Sequence, residues 1–118
     1  MQATKVIADL PVEDIDAARG FYRDFLGLSV EAFNLGWVAH FRSEDGNAYL
    51  QVVTRDETAP ENPVLSVHVP HEQIEDAYDE ARQAGYEIVH PLTQEEWGVR
   101  RFFVRAPDGN VVNVVAHD

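Results

Sequence analysis

The apolar positions along this chain switch from period two to a helical spacing and back, and the whole sequence of switches then repeats. Lys5 to Leu10 alternates as a half-buried strand does, after which Ile15, Ala18, Tyr22, Phe25 and Leu26 fall on one helical face. Asp14 is placed to cap that helix and Gly27 to stop it. Leu28 to Phe33, Trp37 to Arg42 and Ala48 to Thr54 predict strands, separated by Asn34-Leu35-Gly36 and Glu44-Asp45-Gly46-Asn47, both with turn chemistry. Arg55 to Pro63, charged and proline-bearing, reads as an exposed linker. Beyond it the order recurs. Val64 to Val69 predicts a strand, and Ile74, Ala77, Tyr78 and Ala81 predict a helix ended by Gly85. Tyr86 to His90, Val99 to Ala106 and Val111 to Ala116 predict the closing strands, with Leu92 to Gly98 as a loop.

Asp-Gly-Asn precedes the last strand of each half, at Asp45-Gly46-Asn47 and Asp108-Gly109-Asn110. A repeated βαβββ unit is the economical reading, so the expected class is α+β. The expected organisation is a single domain over 1–118, with module one at about 1–54, the linker at 55–63 and module two at about 64–118. A chain of 118 residues that is 45% apolar can bury one core.

Composition removes several kinds of function. With 21 acidic against 9 basic residues the formal charge is -12, a surface that repels phosphate backbones and anionic lipids and attracts cations. Neither nucleic acid nor membrane is an expected partner. The absence of cysteine excludes disulfides, thiolate metal sites and cysteine nucleophiles. No apolar run approaches a membrane span and no signal-like segment opens the chain, so a cytoplasmic location is expected. No phosphate-binding glycine loop and no Gly-x-Ser-x-Gly turn is present.

Two stretches resemble a known family. Glu95 to Val115, with Pro107-Asp108-Gly109-Asn110 at its reversal, resembles the C-terminal hairpin of the vicinal oxygen chelate superfamily, which holds glyoxalases, extradiol dioxygenases and bleomycin-resistance proteins. Val12 to Leu28, with Phe21-Tyr22 and Leu26-Gly27-Leu28, resembles the first helix of the same superfamily. The resemblance implies that the two modules form a curled mixed sheet around a cleft, and that chains of this length pair as homodimers with the cleft near the interface. It also implies that a glutamate ligand of the metal-using members corresponds here to Asn113.

Strand parity gives the other positions. If Val6, Ala8, Leu10 and Val12 pack under the first helix, then Ile7, Asp9 and Pro11 face the cleft, with Ser66 and His68 as their equivalents in module two. Gln51, between Leu50 and Val52, faces it too, although the spacing from Asp-Gly-Asn differs between the halves and leaves Leu50 as the alternative. The four metal-ligand positions of the enzymatic branches thus fall on Ile7, Gln51, Ser66 and Asn113, none of them a histidine or carboxylate. No metal and no other cofactor is expected at such a set.

Asp9 and His68 are the ionisable cleft residues, and as a pair they suit a general base or a grip on a cation. Trp97, Arg101 and Phe103 form a candidate ligand wall with Trp37 and Tyr49 from module one, rings for stacking and Arg101 for an anionic group. His40, His90 and His117 read as isolated surface or strand-edge residues, and His71 as part of the approach to the second helix. The favoured function is a metal-free small-molecule binder resembling bleomycin-resistance proteins, with planar, cationic compounds the first ligands to consider. The alternative is a vicinal oxygen chelate enzyme, a glyoxalase-like lyase or isomerase or a dioxygenase. Such an enzyme would use a relocated metal site or the Asp9/His68 acid-base pair.

Overall fold

The computed structural model describes residues 1–118 and is mixed α+β, with the βαβββ order written twice. Module one holds β1 (Lys5–Pro11), α1 (Ile15–Arg19), β2 (Val30–Asn34), β3 (Val38–Arg42) and β4 (Tyr49–Val53). Module two holds β5 (Leu65–His68), α2 (Ile74–Gln83), β6 (Glu87–Glu95), β7 (Val99–Arg105) and β8 (Val111–His117). By compactness the chain divides into Ile7–Thr58 and a unit made of Met1–Val6 with Ala59–Asp118. The first residues belong with module two because Thr4 N–H and Oγ1 both donate to the His68 carbonyl, at 2.8 and 3.1 Å.

In module one the strands run β2-β3-β4-β1, antiparallel except for the parallel pair β1 and β4, which is in register at Asp9↔Gln51, Leu10↔Val52 and Pro11↔Val53. One face packs under α1, where Ile15, Leu28, Ala39, Phe41 and Val52 are buried with Val12, Ala18, Tyr22 and Leu50 against them. Asp14 caps α1 as expected, its side chain accepting from Asp16 N–H at 2.9 Å. The helix then differs from the sequence reading. From Gly20 to Phe25 the backbone widens into a π-helical turn, and Leu26 N–H reaches back to Phe21 O at 2.9 Å. The wider turn rotates the following side chains off the packed face, leaving Phe25 76% and Leu26 48% exposed. Val6, also expected under the helix, is 50% exposed.

Module two repeats the plan in the order β5-β8-β7-β6, with β5 parallel to β8. Ile74, Ala77 and Ala81 of α2 pack with Val69, Phe102, Val114 and Ala116. Gly85 adopts φ 82°, the left-handed conformation that closes the helix. Two further expectations are corrected. The loop expected over Leu92 to Gly98 is largely strand, because β6 continues to Glu95 through irregularities in its register with β7. Nor is Arg55 to Pro63 uniformly exposed: Asp56 is 3% exposed, and Ala59, at 8%, packs with Phe103 and Val111.

The salt bridge of Arg19 ties α1 to β2. Its Nε donates to Glu31 Oε1 at 2.6 Å and its Nη2 to Oε2 at 3.1 Å. The guanidinium holds the Glu31 carboxyl below the usual carboxylate range. A carboxyl depressed in the folded state adds stability that is present above its unfolded value and lost as pH falls through the lowered one. Glu31→Gln should therefore lower stability near neutral pH, with the gap to wild type closing in strong acid. Urea melts across pH test this, and a gap independent of pH would refute it. In the same assay Phe41→Ala, a fully buried ring, should cost about 3–5 kcal/mol. Phe25→Ala, on the exposed side of the π-helical turn, should stay within about 0.5 kcal/mol.

Candidate functional site

The face of each sheet turned away from its helix carries polar groups that are nevertheless buried. In module one Asp9, His40 and Gln51 are 5%, 5% and 8% exposed. They share a face because Asp9 pairs with Gln51 and Gln51 with His40 across adjacent strands. Gln51 Nε2 donates to Asp9 Oδ1 at 2.6 Å, and Gln51 Oε1 lies 3.2 Å from His40 Nδ1. Leu50 packs under α1, so Gln51 and not Leu50 occupies the position in question. His40, expected to be an isolated surface or strand-edge residue, is instead part of this network, and its ring stacks near Phe33 and Tyr49. The β3 to β4 register was the signal that would have found it. Ile7 is 1% exposed on the same face. Trp37 stands just before β3, its carbonyl accepting from Thr54 N–H at 2.9 Å and from Thr54 Oγ1 at 3.2 Å.

In module two Ser66 pairs with Asn113, and Asn113 Nδ2 donates to Ser66 Oγ at 3.0 Å. Asn113 is 7% exposed and its Oδ1 has no hydrogen-bond partner among the atoms of the protein. The ring of His68 lies 5.0 Å from that of His117, and His71 Nδ1 is 3.1 Å from the His117 carbonyl.

The β6–β7 hairpin supplies a second buried group on this face. Arg101 Nε and Nη2 both donate to Glu95 Oε2, at 2.7 and 2.6 Å, with each side chain 4% exposed. The guanidinium carbon lies 5.0 Å from the Trp97 ring centroid and 4.8 Å from that of Phe103. Glu95 of its own hairpin is thus an anionic group that Arg101 meets. Trp97 occupies the turn that joins the two strands, where Gly98 N–H donates to Glu95 O at 3.2 Å. His90, expected at the surface or a strand edge, is 7% exposed, with its ring edge-on to Phe103 and Nε2 3.8 Å from Glu95 Oε2. Sequence reasoning missed both Glu95 and His90. The first lay in a stretch read as loop, and the second pairs with Phe103 through an irregular register.

Chemically, the four positions Ile7, Gln51, Ser66 and Asn113 offer a hydrocarbon, two amides and a hydroxyl. Divalent transition metals require imidazole or anionic oxygen, so this donor set does not fit one. No group of three or more His, Cys, Asp or Glu residues is arranged to hold a metal elsewhere. The face is equipped for hydrogen bonding and ring contact.

Comparison with known proteins agrees with this architecture. The family model for the Glyoxalase/Bleomycin resistance protein/Dioxygenase superfamily matches residues 5–114. No curated protein matches the sequence. Among solved structures, a chain described as an NAD-dependent benzaldehyde dehydrogenase from Legionella pneumophila is similar at TM-score 0.75 and 16% identity, over 97% of this chain and 100% of that one. A glyoxalase/bleomycin resistance protein/dioxygenase superfamily member from Vibrio splendidus 12B01 is similar at TM-score 0.70 and 18% identity, over 95% and 97%. A Mn(II)-bound glyoxalase from Novosphingobium aromaticivorans is similar at TM-score 0.66 and 19% identity, over 98% of this chain but 39% of its own length. At these identities the likeness is one of fold. No helix is long and apolar enough to cross a membrane.

The buried ion pair generates a test. Glu95→Gln removes the buried carboxylate that lies 2.6–2.7 Å from the Arg101 guanidinium and should cost about 3–5 kcal/mol of stability. The double change Glu95→Gln with Arg101→Met removes both charges and should recover much of that loss. Equal losses in single and double variants, measured by denaturant melts, would show that the charges are not coupled.

Proposed function

The chain belongs to the glyoxalase/bleomycin resistance protein/dioxygenase superfamily, and within it we propose that this protein is a metal-free small-molecule binder resembling the bleomycin-resistance proteins. Its ligand is held in a cleft at the interface of a homodimer. One observation carries the reading. Ser66 and Asn113, at two of the positions that bear metal ligands in the enzymatic branches, bond to each other and leave Asn113 Oδ1 buried with no partner. An unsatisfied buried acceptor costs about 1–3 kcal/mol, which a ligand N–H or O–H recovers. Near neutral pH such an acceptor selects a donor in the ligand and gives a metal cation nothing comparable to a carboxylate.

The neighbouring hairpin supports an aromatic ligand. Trp97 is half-buried at its turn, with Arg101 holding the indole plane through the cation contact, so a flat ring meets a surface already ordered. The formal charge of -12 favours a cationic one. Asp9 and His68 then serve as polar contacts.

The purified protein should contain no stoichiometric nickel, zinc, iron or manganese, and its thermal stability should be indifferent to chelators. Thermal-shift screening of planar cationic compounds should yield a ligand. Trp97→Ala should weaken its binding by roughly 1 kcal/mol or more. One metal per subunit, with a compound turned over only by the metal-loaded protein, would replace this reading with the enzymatic one.

A further inference from the structure

The π-helical turn after α1 holds Phe25 and Leu26 away from the face on which their helical spacing would pack them, and Phe21 joins them at 52% exposed. The Phe21 ring lies 5.4 Å from that of Phe25 and 5.1 Å from that of Tyr22, which packs against the module-one core. The rings thus form one cluster, anchored beneath and open above. A π-helical insertion is uncommon and recurs where a helix carries function. Rings of this size present about 150–250 Å² each, so at these exposures the cluster leaves roughly 300 Å² of apolar surface in water. That suffices for the aromatic centre of a contact between folded proteins. It falls short of the whole, about 800 Å² per partner, so a polar rim has to complete it.

The charges in this segment select the occupant. Ala17 to Val30 carries two arginines against one aspartate, in a chain whose formal charge is -12. Most of the surface repels a second copy, and this segment does not. Arg19 is committed to Asp16 and Glu31, at 2.7 and 2.6 Å. Arg23 and Asp24 pair with each other, Nε to Oδ1 at 2.8 Å, and both are exposed. A twofold axis that sets two copies of such an adjacent pair head to tail brings each charge against its opposite, which is the self-complementarity an isologous contact needs. A basic partner would find one carboxylate here, already paired.

We propose that the π-helical turn is a contact face for a second copy of this chain, with Phe25 near a twofold axis and Arg23 of each copy facing Asp24 of the other. The face lies on the helix-covered side of the module-one sheet, where Phe41 and Val52 pack, and not on the side of His40 and Gln51. It is therefore a contact distinct from the cleft interface and does not depend on that reading.

Sedimentation from micromolar to millimolar protein tests this with three variants. Wild type should associate in a concentration-dependent step that Phe25→Glu abolishes while keeping its thermal melt. Arg23→Asp and Asp24→Arg, each alone, should weaken that step by roughly tenfold or more, because like charges then meet across the axis. An equimolar mixture of the two should regain wild-type association, since both crossed pairs are again of opposite sign. An association unchanged in Phe25→Glu, or a mixture no stronger than its components, overturns the proposal, and so does a wild type that stays monomeric throughout. A partner of another kind seated on these rings would give no recovery in the mixture. A dimer that survives in Phe25→Glu belongs to the cleft, so the two contacts fail separately.

Discussion

Each module has one helix to cover a sheet with two faces, and strand alternation decides what that helix does not cover. In module one Ala39, Phe41, Leu50 and Val52 are committed to α1, which sends His40 and Gln51 to the other side. In module two Phe102, Val114 and Ala116 are committed to α2, which sends Arg101, Phe103 and Asn113 there. A slip of one residue in any of these strands would place an amide or a charge under a helix, where no partner exists for it. The apolar half of the pattern thus enforces the position of the polar half. Because those polar residues are buried as well, each has to find its partner within the reach of a neighbouring strand. Asp9 with Gln51 and Ser66 with Asn113 are the direct results, each pair set by a parallel register.

The Glu95–Arg101 pair shows how demanding this is. Two charges removed from water lose hydration worth several kcal/mol each, recovered only with close geometry and further contacts. Nε and Nη2 of the guanidinium both bond to one carboxylate oxygen, and two rings lie against the guanidinium. Lysine could supply the charge but not a planar group that fits between rings. The pair also explains why β6 runs on to Glu95. The carboxylate stands level with Val99, the first residue of β7, and from there reaches Arg101, with the reversal confined to the Trp97 turn.

Much of this was legible in the sequence because it depended on local periodicity. The alternation of β7 and β8 separated Phe102 and Val104 from Arg101 and Phe103, and the structure keeps that division. The repeat and the glycine stops were likewise local signals. What was not legible depended on partners distant in the chain or on departures from regular geometry. The π-helical turn after Arg19 turned Phe25 and Leu26 outward, and nothing in a 3.6-residue period announces such a turn. His40 and His90 looked isolated because their partners lie across strands whose register cannot be counted along the chain. The composition around Ala59 and Asp56 is that of an exposed linker, yet both residues are buried.

A site built from neutral donors and acceptors meets a different physical requirement from one built around a metal. A metal ion gathers its ligands with large bond energies and can order loose side chains on arrival, whereas each hydrogen bond to a small molecule returns about 0.5–1.5 kcal/mol net. The cost of freezing one rotamer-rich side chain is of the same size. Such a face gains nothing from a ligand unless its side chains are ordered beforehand. That condition is met here by pairing within each module. Gln51 is held from both ends of its amide, Arg101 is held by Glu95 and two rings, and Asn113 is held by Ser66 on one side only. The residue with the acceptor left over is thus already fixed in orientation, which is the arrangement that lets a single weak bond contribute to affinity instead of being consumed in ordering the side chain that makes it.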